Sequence, residues 1–181
     1  MVPRRTTIPV AALLIAVVTA CAPTPAPTPT PSPTSTGFAS EEAAFAAAED
    51  TFREYINAAN AVDLADPTTF EATYAWTTGD EYVTQREQLT QMHSLKWTLS
   101  GVTTFDGFKG VDVNVQTSAV TALVCLDVSD VTMVDETGAS VVPPDRPPRQ
   151  AHELEFLPAS HTDTGLLVSR VNRSEAASCA P

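Results

Sequence analysis

Two side chains stand out for the chemistry they can do: His152 and Asp127, each placed by alternation on an apolar strand face. In QAHELEF, His152 shares a face with Leu154 and Phe156; in VTALVCLD, Asp127 shares one with Leu123 and Cys125. An imidazole and a carboxylate enclosed in one apolar pocket can exchange protons with a substrate, because burial and mutual charge move their pKa values. Both also lie at strand limits. Asp127 ends an apolar run and His152 follows the proline-rich PPDRPPR, so exposed strand ends are the alternative. The remaining histidines, His93 and His161, make no His-x-x-x-His or Cys-x-x-Cys spacing with His152, and no metal site is expected. Neither a glycine-rich phosphate loop nor a Gly-x-Ser-x-Gly elbow is present, and no cofactor is expected. Trp76 and Trp97 can line a pocket or fill a core.

The elements that must position these residues fall into two runs. In ASEEAAFAAAEDTFREYINAANAVD, Phe45, Phe52, Ile56 and Ala59 recur at helical spacing, Ser40 can cap the start, and Glu41 and Glu42 suit the first turn. Asp66-Pro67 starts a second, short helix with Phe70 and Tyr74 on one face. A third is expected from Asp80 to about His93, with Tyr82, Leu89 and Met92 on its apolar side. From Leu95 the period changes to two. KWTLSGVTTF and the long GVDVNVQTSAVTALVCLDVSDVTMV read as strand, with a bend or turn near Gln116 to Ala119. DETG, residues 135–138, reads as a turn, and QAHELEF and GLLVSRVN as the closing strands. Helices followed by strands predict an α+β domain, with helices on one face of a mainly antiparallel sheet.

This order, and above all EEAAFAAAEDTFREYINAANAVD followed by PTTFEATYAW, resembles the cone-shaped fold of the nuclear transport factor 2-like superfamily. The resemblance implies a long curved sheet with the N-terminal helices packed on it. It leaves function open, since that superfamily includes isomerases, polyketide cyclases and many members that only bind or dimerise. Phe45, Phe52, Ile56 and Trp97 filling the cone would favour binding; a polar cavity reached by His152 or Asp127 would favour an isomerase or cyclase.

The N-terminus concerns location. Arg4 and Arg5 precede an apolar stretch, Ile8 to Val18, interrupted by Pro9. It is too short for a membrane span of about 20 residues and fits the apolar region of a secretory signal. Val18-Thr19-Ala20-Cys21 resembles a bacterial lipobox, which implies that residues 1–20 are a signal peptide and that Cys21 carries the lipid. An ordinary secreted protein with a free thiol at Cys21 is the alternative. Two or more acyl chains would anchor the protein without spanning the membrane. Residues 21–37 then form a tether in which prolines alternate with Ala, Thr and Ser, long enough at ~3.1 Å per residue to hold a domain of residues 38–181 up to about 50 Å from the lipid.

Export into an oxidising compartment makes a disulfide the expectation for the remaining pair, Cys125 and Cys179. The chain has a net charge of −12, and losing Arg4 and Arg5 with the signal, and no acid, takes it to −14. So acidic a protein is a poor ligand for nucleic acid. Four prolines stiffen SVVPPDRPPRQ, where Arg146 and Arg149 can meet an anionic partner or be solvated in a rigid connection. The reading as a whole is a lipid-anchored, extracytoplasmic cell-envelope protein with a binding or accessory domain, its partner another envelope protein or a small molecule. The alternative is an isomerase- or cyclase-type enzyme using His152 and Asp127.

Overall fold

Ser40 opens the first helix as its sequence predicts: its backbone is extended (φ −157°) and its hydroxyl accepts the Ala43 N–H at 3.2 Å. In the computed structural model, residues 37–175 and 179 are described; the chain divides into two units, Met1–Pro33 and Thr34–Pro181, and the described residues belong to the second. The signal, Cys21 and the tether up to residue 36 lie outside the described residues. Helix α1 runs Glu41–Asn60 and buries Ala44, Ala48, Thr51, Phe52, Tyr55 and Ile56. Its two fully buried alanines, one turn apart, let the helix lie close on the sheet beneath. Phe45 sits on the flank, half-buried, against Gly110, where any Cβ would overlap the Phe45 ring.

Asp66 then accepts the Thr68 N–H at 3.0 Å to start a single 3-10 turn, Pro67–Thr69. Helices α2, Phe70–Tyr74, and α3, Gly79–Ser94, follow. Strands β2, Thr104–Val113, β3, Val120–Asp127, β5, Arg149–Pro158, and β6, Leu166–Arg173, form one antiparallel sheet in the order β2-β3-β5-β6. The long alternating segment is interrupted at the predicted place. Asn114 Oδ1 accepts the N–H groups of Gln116 and Thr117, both at 3.0 Å, and Ser118 takes a left-handed backbone (φ 56°) before β3 begins.

The expectation of one long sheet needs correction. β1, Thr98–Ser100, and β4, Thr132–Val134, pair with each other as a separate two-stranded sheet. The chain breaks at Gly101, whose φ of +86° and contact with the Asp130 carbonyl leave no room for a side chain, so β1 cannot run on into β2. β2 itself is irregular between Asp106 and Lys109 and between Gly110 and Asp112, the kind of bulge that bends and twists a strand.

Two apolar clusters result. The first joins α1 to the four-stranded sheet: Phe52, fully buried, packs edge-on against Phe105 and Phe156, with Val120, Val124, Leu154 and Val168 around it. The second lies among the other helices and β1, where Leu64, Phe70, Tyr74 and Leu89 are buried under Trp97, Met92 and Leu99. Trp76 packs, partly buried, on the first cluster, and Trp97 packs, partly buried, on the second, where it also lines a hollow beside Leu64 and His93. Of the four residues expected inside the cone, Phe52 and Ile56 are buried there and Phe45 flanks them, while Trp97 belongs to the other cluster. Cys125 and Cys179 form a disulfide, with Cα atoms 5.6 Å apart, that ties the end of the chain to β3.

Candidate functional site

Strand register decides the fate of the two residues that alternation singled out. Val124 stands opposite His152, and Ala122 opposite Leu154, on the face covered by α1. Asp127 stands opposite Arg149, and Cys125 opposite Ala151, on the other face. His152 and Asp127 are therefore on opposite sides of one sheet and cannot share a proton, which corrects the expectation of an acid–base pair. Asp127 Oδ1 accepts the Ser129 N–H at 3.0 Å and hydroxyl at 2.7 Å, and Oδ2 lies 3.4 Å from Arg149 Nη1. The Ser129 bonds, with Arg149 behind them, hold its carboxyl below the usual range. It ends a strand. His152 is half-buried, and neither ring nitrogen has a partner among the described residues. Burial first, then the nearby Arg173, pushes its pKa down.

The other sequence candidates are engaged in structure. His93 Nδ1–H donates to the Leu64 carbonyl at 2.7 Å, edge-on to Phe70, and His161 is exposed. Arg146 donates to the carbonyls of Val128 and Val131, at 2.8 and 2.7 Å. Arg149 grips both oxygens of Asp106, at 2.7 and 2.9 Å. Both arginines of the proline-rich loop are engaged within the chain and brace the loop against the sheet. Among the described residues, no three His, Cys, Asp or Glu lie together as a metal site would require.

A hollow appears instead in the helical layer. Where the second cluster meets the end of α1, a cleft of about 190 Å³ opens between Ala59 and Asn60 of α1, Thr73 of α2, Gln85, Leu89 and Met92 of α3, and Leu99, Thr103 and Val131. None of its lining side chains is charged. Asn60 closes one border with two backbone bonds: Nδ2 donates to the Thr103 carbonyl and Oδ1 accepts the Thr103 N–H, both at 2.8 Å.

A polar network stands against the cleft at Gln85. The Gln85 amide nitrogen donates to the Tyr55 hydroxyl and to Glu81 Oε1, and Tyr55 donates to the same Glu81 oxygen, all at 2.9 Å. Tyr55 is 6% exposed and Glu81 5%, so this is a buried carboxylate held by two neutral donors. Burial first, then Glu81, pushes the Tyr55 phenol well above its usual pKa, and it remains a donor. Thr73, fully buried in the same region, has a hydroxyl without a hydrogen-bond partner among the described residues.

Sequence reasoning did not find this network. Glu81 reads as an ordinary first-turn acid beside Asp80, suited to a helix N-terminus. What distinguishes them is tertiary: Asp80 is exposed and paired with Arg170 at 3.0 Å, whereas Glu81 points at α1. The i, i+4 spacing of Glu81 and Gln85 is the single local hint.

No protein-family model matches the chain, and no curated protein does. Among solved structures it is similar to a periplasmic fragment of TraM, at 13% identity over 75% of this chain and 98% of that one, with a TM-score of 0.44. It is also similar to a "putative polyketide cyclase" from Xanthomonas campestris pv. campestris, at 14% identity over 72% and 90% of the two chains, with a TM-score of 0.36. Neither score reaches 0.5. The α+β class rests on the register and helix packing described above.

Proposed function

We propose that the chain is a lipid-anchored, extracytoplasmic protein whose domain, of nuclear transport factor 2-like form, binds a small molecule or supports another envelope protein. The observation that carries the binding role is the uncharged helical cleft with a polar network against one wall. Glu81 Oε1 accepts from both Tyr55 and Gln85, so that wall offers shape and hydrogen bonds. Location is supported by the order charged start, apolar stretch, Val18-Thr19-Ala20-Cys21 and proline ladder, and by the Cys125–Cys179 bridge, which suits an oxidising compartment. The isomerase or cyclase alternative loses its acid–base pair, because His152 and Asp127 face opposite ways.

Native mass spectrometry of the full chain, purified gently from its own host, tests the binding role. An added mass that leaves on denaturation, beyond that of the anchor, is the expected result. A bare mass, with no protein recovered by crosslinking at the membrane, overturns it. Palmitate labelling that survives Cys21→Ala removes the anchor.

A further inference from the structure

We propose that a hollow at the C-terminal end of α3 binds an uncharged aromatic ring carrying one N–H donor, of the indole kind, between His93, Lys96 and Trp97. Among the described residues it shares none of its lining with the helical cleft, so it stands apart from the binding reading above.

The chain forms this hollow by the way it leaves the helix. Lys96 takes a left-handed backbone (φ 55°); its N–H donates to the His93 carbonyl at 3.0 Å, and that of Trp97 donates to the Met92 carbonyl at 3.1 Å. These are the paired bonds of a Schellman turn, whose left-handed position glycine usually takes. The reversal brings Trp97 back beside His93, and with Leu64, Ala65, Lys96 and Thr98 the two line a space of about 280 Å³.

Three features of that lining define the guest. The first is a fixed tautomer. A carbonyl only accepts, so the 2.7 Å contact with Leu64 places the hydrogen of the neutral His93 ring on Nδ1 and the lone pair on Nε2. Nε2 takes no bond from a described residue, and it is not among the side-chain atoms shut away from water. The ring thus offers one reachable acceptor, which calls for a guest with one donor. Charge is the second feature. The carbonyl end of α3 and the Glu136 carboxylate, 3.3 Å from Lys96 Nζ, oppose an anion, while the Lys96 ammonium opposes a cation. The third is the aromatic wall. Trp97, half-buried against the second cluster, supplies a flat apolar surface. The pair between Lys96 and Glu136 is exposed on both sides and holds the ammonium only weakly, so it can turn onto the face of an electron-rich ring.

The test uses two probes of one shape that differ in the donor, 5-fluoroindole and 5-fluorobenzofuran. Their binding to the full chain in lipid nanodiscs at about pH 8 is read by ¹⁹F NMR, with empty nanodiscs subtracted. The wild-type protein is expected to prefer 5-fluoroindole by about fivefold, the worth of one neutral hydrogen bond. His93→Asn keeps an amide N–H within reach of the Leu64 carbonyl and lacks Nε2; it is expected to bring the two affinities within about twofold of each other, with the urea midpoint held. Lys96→Gly suits the left-handed turn and removes the ammonium. It is expected to weaken both probes by about threefold without lowering the urea midpoint. Equal affinities in the wild type, no binding of either probe, or a preference that survives His93→Asn overturns the proposal and leaves the reading of the helical cleft as it was. If His93→Asn does not fold, Lys96→Gly decides: undiminished binding of both probes overturns the proposal.

Discussion

The two apolar clusters of this molecule were built from similar residues and finished differently. Around Phe52, helix α1 meets a four-stranded sheet through Ala44 and Ala48, and aromatic rings close the remaining space edge-on. Around Leu89, the five-residue α2, the sixteen-residue α3 and the three-residue β1 meet, and a hollow remains. A sheet and a long helix offer continuous complementary surfaces, whereas helix ends and loops meet at points. The first cluster joins continuous surfaces, whereas the second leaves a cleft beside a buried threonine whose hydroxyl has no partner among the described residues.

Truncation is the strongest way to break that comparison. Phe52→Ala should destabilise by about 3–5 kcal/mol in urea unfolding, and Leu89→Ala by about 2 kcal/mol, because a side chain already bordering a cleft leaves less new cavity. Equal losses would mean that the second cluster is as tightly packed as the first. Reduction of Cys125–Cys179 should lower stability by about 4 kcal/mol on the loop-entropy account for a separation of 54 residues, read as a shift in urea midpoint with and without reductant. Tyr55→Phe joins the two regions, since α1 reaches α3 through this hydroxyl. It should cost about 1–3 kcal/mol by leaving buried Glu81 with one donor fewer, and removing the Glu81 oxygen acceptor by Glu81→Leu in the same protein should recover part of it.

The smallest effect concerns His152. Its folded pKa lies below the unfolded value of about 6.5, so the unfolded chain binds the proton first. Stability from this group is present above about pH 6.5 and is lost as pH falls from there through the folded pKa. His152→Leu should flatten the fall in urea midpoint between pH 7.5 and pH 5 relative to wild type; an unchanged slope would show that the ring is hydrated in the folded state.

What could be read in advance followed the range of the interaction. Helix α1 is legible because Ser40, the two glutamates and a run of apolar residues over five turns all point the same way. β1 and β4 are not, because three residues hold too little alternation to register a period, and their separation from β2 is set by Gly101 against Asp130, far apart in sequence. Alternation placed His152 and Asp127 correctly within their own strands. Which faces coincide depends on the pairing of β3 with β5, and that one-residue choice of parity put them on opposite sides. Glu81 was invisible for the same kind of reason: its burial is a property of Tyr55, 26 residues earlier.

The paired bonds between Asn60 and Thr103 border a second hollow as well. On their far side, Arg53, Ile56, Asn57, Thr104 and Phe105 enclose another 190 Å³ or so, and Asn60 and Thr103 line both spaces. A single exposed asparagine side chain thus borders both spaces, and its paired bonds to the Thr103 backbone pin the last turn of α1 to the residue that precedes β2.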